Sequence, residues 1–359
     1  MSSIWGKNIR ISVFGESHSK AIGVTIHGLP AGFSADLDEV REAMARRAAK
    51  KAAYSTARGE KDAFEIVSGF FEGKTTGSPL TALIFNADTR SQDYAQLAQK
   101  PRPSHADYVS YIKYHGAADY RGGGHFSGRL TAPLVFAGAL CDQILHKQGI
   151  VTCSAIRSIG ELTDPNVGSK EEMLALRQKQ FPVITDEIGE KMLTYIQEIK
   201  RSGDSVGGVI ETCVYGLPVG LGDPMLEPAE SVISSLLFAV PAVKGVEFGS
   251  GFDIARMRGS VANDALVMQA GEVRCKTNHN GGITGGITNG MPLVVRTAIK
   301  PTPSIALEQD TIDLTTRENT KLVIHGRHDA CIVPRAVEAV RCAVAAAVLD
   351  LWLERKKYE

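Results

Sequence analysis

Histidine stands beside glycine or cationic residues in four segments of this 359-residue chain, in combinations that a hydrophobic core does not need. Gly15-Glu16-Ser17-His18 follows an apolar run. A histidine on a glycine turn after a strand can reach a ligand as acid or base, or simply bond nearby backbone. In Arg102-Pro103-Ser104-His105-Ala106-Asp107-Tyr108, Pro103 stiffens the approach and Ser104 is placed to cap a helix containing His105. Alone, a helix-start histidine beside an aspartate is more often structural than catalytic. Arg121-Gly122-Gly123-Gly124-His125-Phe126-Ser127-Gly128-Arg129 is either an anion cradle leading into a helix amino terminus or a glycine-rich packing loop. The fourth constellation is spread over Asn278-His279-Asn280-Gly281-Gly282, Lys300-Pro301-Thr302-Pro303-Ser304 and Gly326-Arg327-His328-Asp329. Cations beside short, stiff, hydroxyl-bearing turns suit a phosphate or carboxylate, and Asp329 is either a proton-handling carboxylate or a turn residue.

Several common chemistries are unsupported. The glycine run is not a dinucleotide fingerprint, because position 127 is serine, and it lacks the lysine of a P-loop. No H-E-x-x-H and no His/Cys cluster with zinc spacing occurs, so no metal is expected. A G-x-S-x-G nucleophile elbow is absent too. With 40 basic and 40 acidic residues the net charge is zero, which argues against a nucleic-acid partner. What remains is an anion-binding, phosphate-handling enzyme.

The elements that must position these segments read as mixed α/β. Residues 9–14, 21–27, 64–68, 80–86 and 206–215 have the composition of strands. Asp36 followed by Glu39 resembles a capping box, ahead of a helix with Val40, Ala43, Met44 and Ala48 on its apolar face. Arg41, Arg46, Arg47, Lys50 and Lys51 are expected on the opposite side. Residues 133–148 form a helix apolar on most sides, 171–181 and 187–201 amphipathic ones, and 229–240 a helix stopped by Pro241. The last helix starts near Pro334, carries Val337, Val340, Val344, Val348 and Leu351 at helical spacing, and ends at Arg355-Lys356-Lys357. No disordered tether and no long repeat divides the chain, so residues 1–359 are expected to form a single domain. Six cysteines without a C-x-x-C pair, no signal-peptide run and no stretch long enough to span a bilayer suggest a cytoplasmic protein with reduced thiols.

Taken in order, Phe14 to His18, Arg102 to Tyr108, Asp119-Tyr120-Arg121-Gly122-Gly123-Gly124, Ser205-Val206-Gly207-Gly208, Lys244-Gly245-Val246-Glu247-Phe248-Gly249, Asn278-His279, Lys300-Pro301-Thr302 and Gly326-Arg327-His328-Asp329 resemble the chorismate synthase family over nearly the whole chain. The resemblance implies a β–α–β sandwich, a helical core flanked by antiparallel sheets, and a homotetramer. It implies a reaction, the redox-neutral 1,4-elimination of phosphate from 5-enolpyruvylshikimate-3-phosphate to give chorismate, and a cofactor, reduced flavin mononucleotide (FMN). Transient electron donation from the flavin helps expel phosphate where the C6 hydrogen is poorly acidic.

Carried over residue by residue, the resemblance makes His18 and His105 the acid/base pair. Asp329 accepts a proton through flavin N5, and Ser17 and Ser127 hold the surrounding hydrogen bonds. Flavin contacts fall on His125, Phe126, Ser127, Pro241, Ala242, Gly285, Lys300, Pro301, Thr302, Pro303, Ser304 and Arg327. Arg47, Arg129 and Arg327 fall near substrate phosphate, substrate carboxylate or flavin. The chain departs from the family in His125-Phe126-Ser127-Gly128-Arg129-Leu130-Thr131, where Arg-Ser-Ser-Ala-Arg-Glu-Thr is common, and at Ser19, Pro241, Ala53 and Ala330. Some members reduce their own flavin with NADPH. Ala53 replaces an arginine associated with NADP, and no insertion is evident, so an external flavin reductase is expected.

Overall fold

Alternation of apolar and polar residues builds the first sheet in the computed structural model, which describes residues 3–48, 62–86, 97–165, 168–324 and 329–358. Its strands are β1 (Ile4–Trp5), β2 (Arg10–Gly15), β3 (Ala21–His27), β4 (Phe64–Ser68) and β5 (Leu80–Phe85), ordered β1-β2-β3-β5-β4 and antiparallel throughout. Ile22, Val24 and Ile26 point one way along β3 and are fully buried, as the two-residue period of a half-covered strand requires. A second antiparallel sheet contains β6 (Val151–Ile159), β7 (Leu162–Thr163), β8 (Gly208–Tyr215), β9 (Val243–Phe248) and β10 (Leu293–Ile299), ordered β9-β10-β8-β6-β7.

Helices form the core between the sheets and also pack on its outside. They are α1 (Leu37–Arg47), α2 (Asp107–Lys113), α3 (Thr131–His146), α4 (Lys170–Ala175), α5 (Asp186–Arg201), α6 (Ala229–Leu237) and α7 (Val333–Arg355), apart from one single-turn helix at Gly259–Ala262. The central pair is α3 and α7, with α3 lying on the first sheet and α7 on the second. Both are buried almost all round, which explains why neither shows a narrow apolar stripe. Charge in this core is paired or tied to backbone: Asp350 accepts from the N–H groups of Asn8 and Ile9 at 2.6 and 2.8 Å. Arg341 donates to Asp142 at 2.6 Å and to Glu338 at 2.7 Å, and Arg46 reaches Glu338 at 3.2 Å.

Four local expectations change. Asp36 caps α1 by accepting from the N–H groups of Asp38 and Glu39, without a reciprocal bond from Glu39. Arg47 does not face solvent but is 2% exposed, turned inward with the buried residues of α1. Ser104 caps nothing: it has a φ of 57°, α2 begins at Asp107, and His105 precedes the helix. Residues 171–181 form only the six-residue α4 and a further 3-10 turn, Leu176–Gln178. The strands at Val151–Ile159, Val243–Phe248 and Leu293–Ile299 were not anticipated. Among the described residues no helix is long and apolar enough to cross a membrane, and no group of three or more potential ligands could hold a metal ion.

Candidate active site

A cavity of about 1020 Å³ lies where β1, β2, the start of α3, the end of α6 and the start of α7 meet. One wall is apolar, from Ile11, Val13, Leu134, Leu236 and Ile332; the other carries Arg47, Arg102, Arg129, Lys300 and Arg335. Such a volume is at the upper end for a small-ligand site of about 300–1,000 Å³.

The glycine run sets where the two histidines stand. Gly122, Gly123 and Gly124 all have positive φ, at 60°, 83° and 55°, so the segment is a left-handed arc rather than a helix amino terminus. A Cβ on Gly122 would sit 2.7 Å from Ser17 Oγ and 2.8 Å from His18 Nε2, and one on Gly124 would sit 2.0 Å from the Asp119 carbonyl oxygen. The Ser17 N–H donates to the Gly124 carbonyl at 3.1 Å. Gly122 and Gly124 thus allow a close packing that a side chain would block. His18 is buried directly behind Gly122, while His105 packs against the next glycine, Gly123. Arg121 grips Asp119 with two 2.8 Å bonds, which hold the Asp119 carboxyl below its usual range; burial opposes this and His18 adds to it.

His105 lines the cavity beside a buried ion pair. Arg102 Nε donates to Asp107 Oδ2 at 2.7 Å and Nη2 to Oδ1 at 2.8 Å, and Arg102 Nη1 donates to Ser304 Oγ at 3.1 Å. His105 Nδ1 is 2.5 Å from Asp107 Oδ1. Burial pushes the His105 pKa down, Asp107 pushes it up, and Arg102 and Lys300 add to the lowering. Burial also lowers Lys300, as does Lys244 nearby.

His125 uses both ring nitrogens on protein. Nδ1–H donates to the Gly15 carbonyl at 2.8 Å, which leaves Nε2 to accept from Ser3 Oγ at 3.1 Å. It thus fastens the amino-terminal segment to the turn carrying Ser17 and His18, with its ring on the cavity wall. Phe126 lies 6.4 Å, centroid to centroid, from Tyr114, and Ser127 Oγ accepts from the Arg129 N–H. Across the cavity, Arg47 Nη2 pairs with Asp62 Oδ2 at 3.0 Å, and Arg129 pairs with the other Asp62 oxygen and with Asn86. Asp329 is buried and accepts from Arg335 Nη1 at 2.6 Å.

Ser17, Arg47, His105, His125, Phe126, Ser127, Arg129, Pro241, Ala242, Lys300, Thr302, Pro303, Ser304 and Asp329 therefore line one cavity. His18 stands behind the wall at Gly122, and Pro301 is an exposed neighbour of lining residues. Gly285 does not line the cavity: it lies in the turn of a separate hairpin, Ile283–Thr284 with Ile287–Thr288. Arg327 and Ala53 lie outside the described residues. Sequence reasoning missed Asp62, Arg335 and the wall formed by Ser3, Ile4 and Trp5. A position directly after Pro334, in the first turn of a buried helix, is the one available signal for Arg335; Asp62 offers none.

Residues 9–353 match the chorismate synthase family model. A chorismate synthase of Thermococcus gammatolerans is 46% identical over 99% of this chain and 98% of its own length. Those of Dehalococcoides mccartyi and Methanosarcina mazei are 43% and 41% identical over 98% and 97% of this chain, and over 97% and 95% of theirs. A crystal structure of chorismate synthase superposes with a TM-score of 0.76 at 30% identity, covering 98% of this chain and 93% of that one. Motifs, sandwich and cavity thus agree with a match that leaves almost no residue outside it: the chain belongs to the chorismate synthase family.

Proposed function

We propose that this cavity binds 5-enolpyruvylshikimate-3-phosphate against reduced FMN, and that His18, His105 and Asp329 manage the protons of its 1,4-elimination to chorismate. The activity is that of a carbon–oxygen lyase acting on a phosphate ester, in aromatic amino-acid biosynthesis. The observation that carries the residue assignment is the juxtaposition at the glycine arc: two imidazoles packed against consecutive glycines, at the edge of a single cavity large enough for two stacked ligands.

The residues present fit a flavin phosphate. Thr302 Oγ1 is buried with no hydrogen-bond partner, and Lys300, half-buried beside it in sequence, has no ion-pair partner among the described residues. Lys300 and Thr302 would hold a phosphate, the one by charge and the other by its hydroxyl. When bound, the reduced flavin supplies transient electron donation to the departing phosphate. Arg47 and Arg129, fixed by Asp62, present guanidinium groups to an anionic substrate, and Ser127 orients the turn that carries Arg129. His18 holds a proton at the leaving phosphate, and His105 holds one at the ring system opposite. Asp329, buried and held by Arg335 Nη1 at 2.6 Å, is the proton acceptor of this reading. Pro241, Ala242 and the turn through Ser304 form the rim; Ala242 is held at φ 74° while its carbonyl accepts from the Lys300 N–H. We further propose a homotetramer that takes its flavin from a separate reductase.

Anaerobic assay with pre-reduced FMN tests this reading. Chorismate should form without stoichiometric flavin oxidation, and His18→Ala and His105→Ala should each lower turnover by roughly 10²- to 10⁴-fold with little change in substrate affinity. Oxidised flavin accumulating with product refutes the elimination, and wild-type rates in both variants refute the acid/base roles. Steady turnover from oxidised FMN and NADPH in air, with pure protein, refutes the need for a reductase.

A further inference from the structure

The strongest unassigned feature of the cavity wall is the buried cluster behind His105. Asp107 accepts from four donors at once: the Arg102 N–H at 3.0 Å, Arg102 Nε, Arg102 Nη2 and the His105 ring. The side chains of Arg102 and Asp107 are each 6% exposed, and that of His105 is 16% exposed. A charge pair this deep costs several kcal/mol of desolvation per ion unless geometry repays it. Here both guanidinium edges and both carboxylate oxygens are used, so the pair is rigid.

The contacts at His105 Nδ1 determine the tautomer. Nδ1 is 2.5 Å from Asp107 Oδ1 and 3.0 Å from Arg102 Nη2. A carboxylate only accepts and a guanidinium only donates, so Nδ1 cannot serve both. Arg102 Nη2 already has Asp107 Oδ1 at 2.8 Å, a shorter and charge-assisted bond, whereas Asp107 Oδ1 gains a second donor only if Nδ1 carries hydrogen. The neutral ring is therefore the Nδ1–H form, with the Nε2 lone pair available on the other side.

We propose that Asp107 is the positioning residue of His105, fixing the Nδ1–H tautomer so that Nε2 alone exchanges protons, and that Arg102 holds Asp107 in place. The inference deepens the acid/base assignment of His105 and rests on it. When Nε2 takes up a proton, an Nε2–H bond forms and the ring becomes an imidazolium facing Asp107. The second proton stays on Nδ1, because Asp107 is held well below the usual carboxylate range by Arg102 and His105 against the opposing effect of burial. The charged groups around His105 are Asp107, Arg102 and Lys300, and of these only Asp107 favours the imidazolium. Arg102 also ties this unit, through Ser304, to the turn after Lys300.

Nitrogen-15 NMR of the histidine-labelled full-length protein reads the tautomer directly and needs no variant. His105 should show a protonated Nδ1 and a lone-pair Nε2; a protonated Nε2 in the neutral ring overturns the proposal. Asp107→Asn should lower kcat by about 10²-fold with KM nearly unchanged, and should move the acid limb of the pH profile to lower pH. Asp107→Glu should restore part of the rate. In a His105→Ala background, Asp107→Asn should change kcat by less than about threefold, since residues acting as one unit are not additive. An equal loss in both backgrounds overturns the proposal. Wild-type turnover in His105→Ala overturns the catalytic assignment instead, a result the tautomer measurement distinguishes from a failure of the positioning claim.

Discussion

Gly122→Ala should damage catalysis far more than it damages the fold. The added methyl group would sit 2.8 Å from His18 Nε2 and 2.7 Å from Ser17 Oγ, where ordinary contact starts at 3.4 Å. Gly122 cannot retreat easily, because Gly123 and Gly124 continue the left-handed arc and the Gly124 carbonyl is bonded to Ser17. The imidazole must therefore give way by about 0.6 Å, in a close-packed site where 1 Å of misplacement costs about 10²-fold in rate. We expect kcat to fall by roughly 10- to 100-fold. Alanine at φ 60° adds strain of about 1–2 kcal/mol, which lowers the melting temperature by roughly 2–6 °C. Gly73→Ala separates the two effects. Gly73 has a φ of 78° but nothing within 4 Å of the added methyl, so it should show the strain without the kinetic loss. Steady-state kinetics and calorimetry on both variants decide the matter. Equal rates for Gly122→Ala and Gly73→Ala would refute the claim that the glycine arc exists to seat His18.

Two further outcomes concern the buried charges. Asp62→Ala removes the carboxylate shared by Arg47 and Arg129 and should cost about 3–5 kcal/mol in urea unfolding; a loss below about 1 kcal/mol contradicts its role as their common anchor. Burial by itself would raise Glu338, but Arg341 and Arg46 hold its pKa down at about 2 against an ordinary 4.5. That depressed value gives stability in full above pH 4.5, lost as pH falls towards 2, so Glu338→Gln should flatten the acid limb of a stability–pH curve. An unchanged acid limb excludes Glu338 as a contributor.

The elements best legible in the sequence were those with one clear period. β2, β3 and α1 alternate or repeat strongly because one side of each meets the helical layer and the other meets water or a loop. The interior elements were harder for the same physical reason that makes them interior. β6 is buried along nearly its whole length, so exposure does not alternate along Val151–Ile159, and α7 is buried round its circumference. The layered arrangement itself followed from family resemblance, since no local pattern tells two antiparallel sheets to share one pair of helices.

At the site, the segments were visible but the partnerships between them were not. His105 and Asp107 lie two residues apart and looked structural; the Arg102 clamp and the Ser304 contact 202 positions away make them part of the cavity. By spacing alone Arg47 looked like one more cation on a polar helix face, because the opposing Asp62 lies just before β4 with no pattern that links the two. His125 stands where the family commonly has arginine, and its partners explain how a smaller, uncharged-capable ring serves there: it bonds Gly15 and Ser3 rather than reaching outward. His125 thereby helps to hold the turn that carries His18, whereas His105 and Asp329 rest on supports of their own. The three supports, namely a glycine arc, a buried ion pair and a helix-start arginine, come from three separate stretches of chain. A substitution in one can thus weaken one of the three proposed proton-handling groups without displacing the other two.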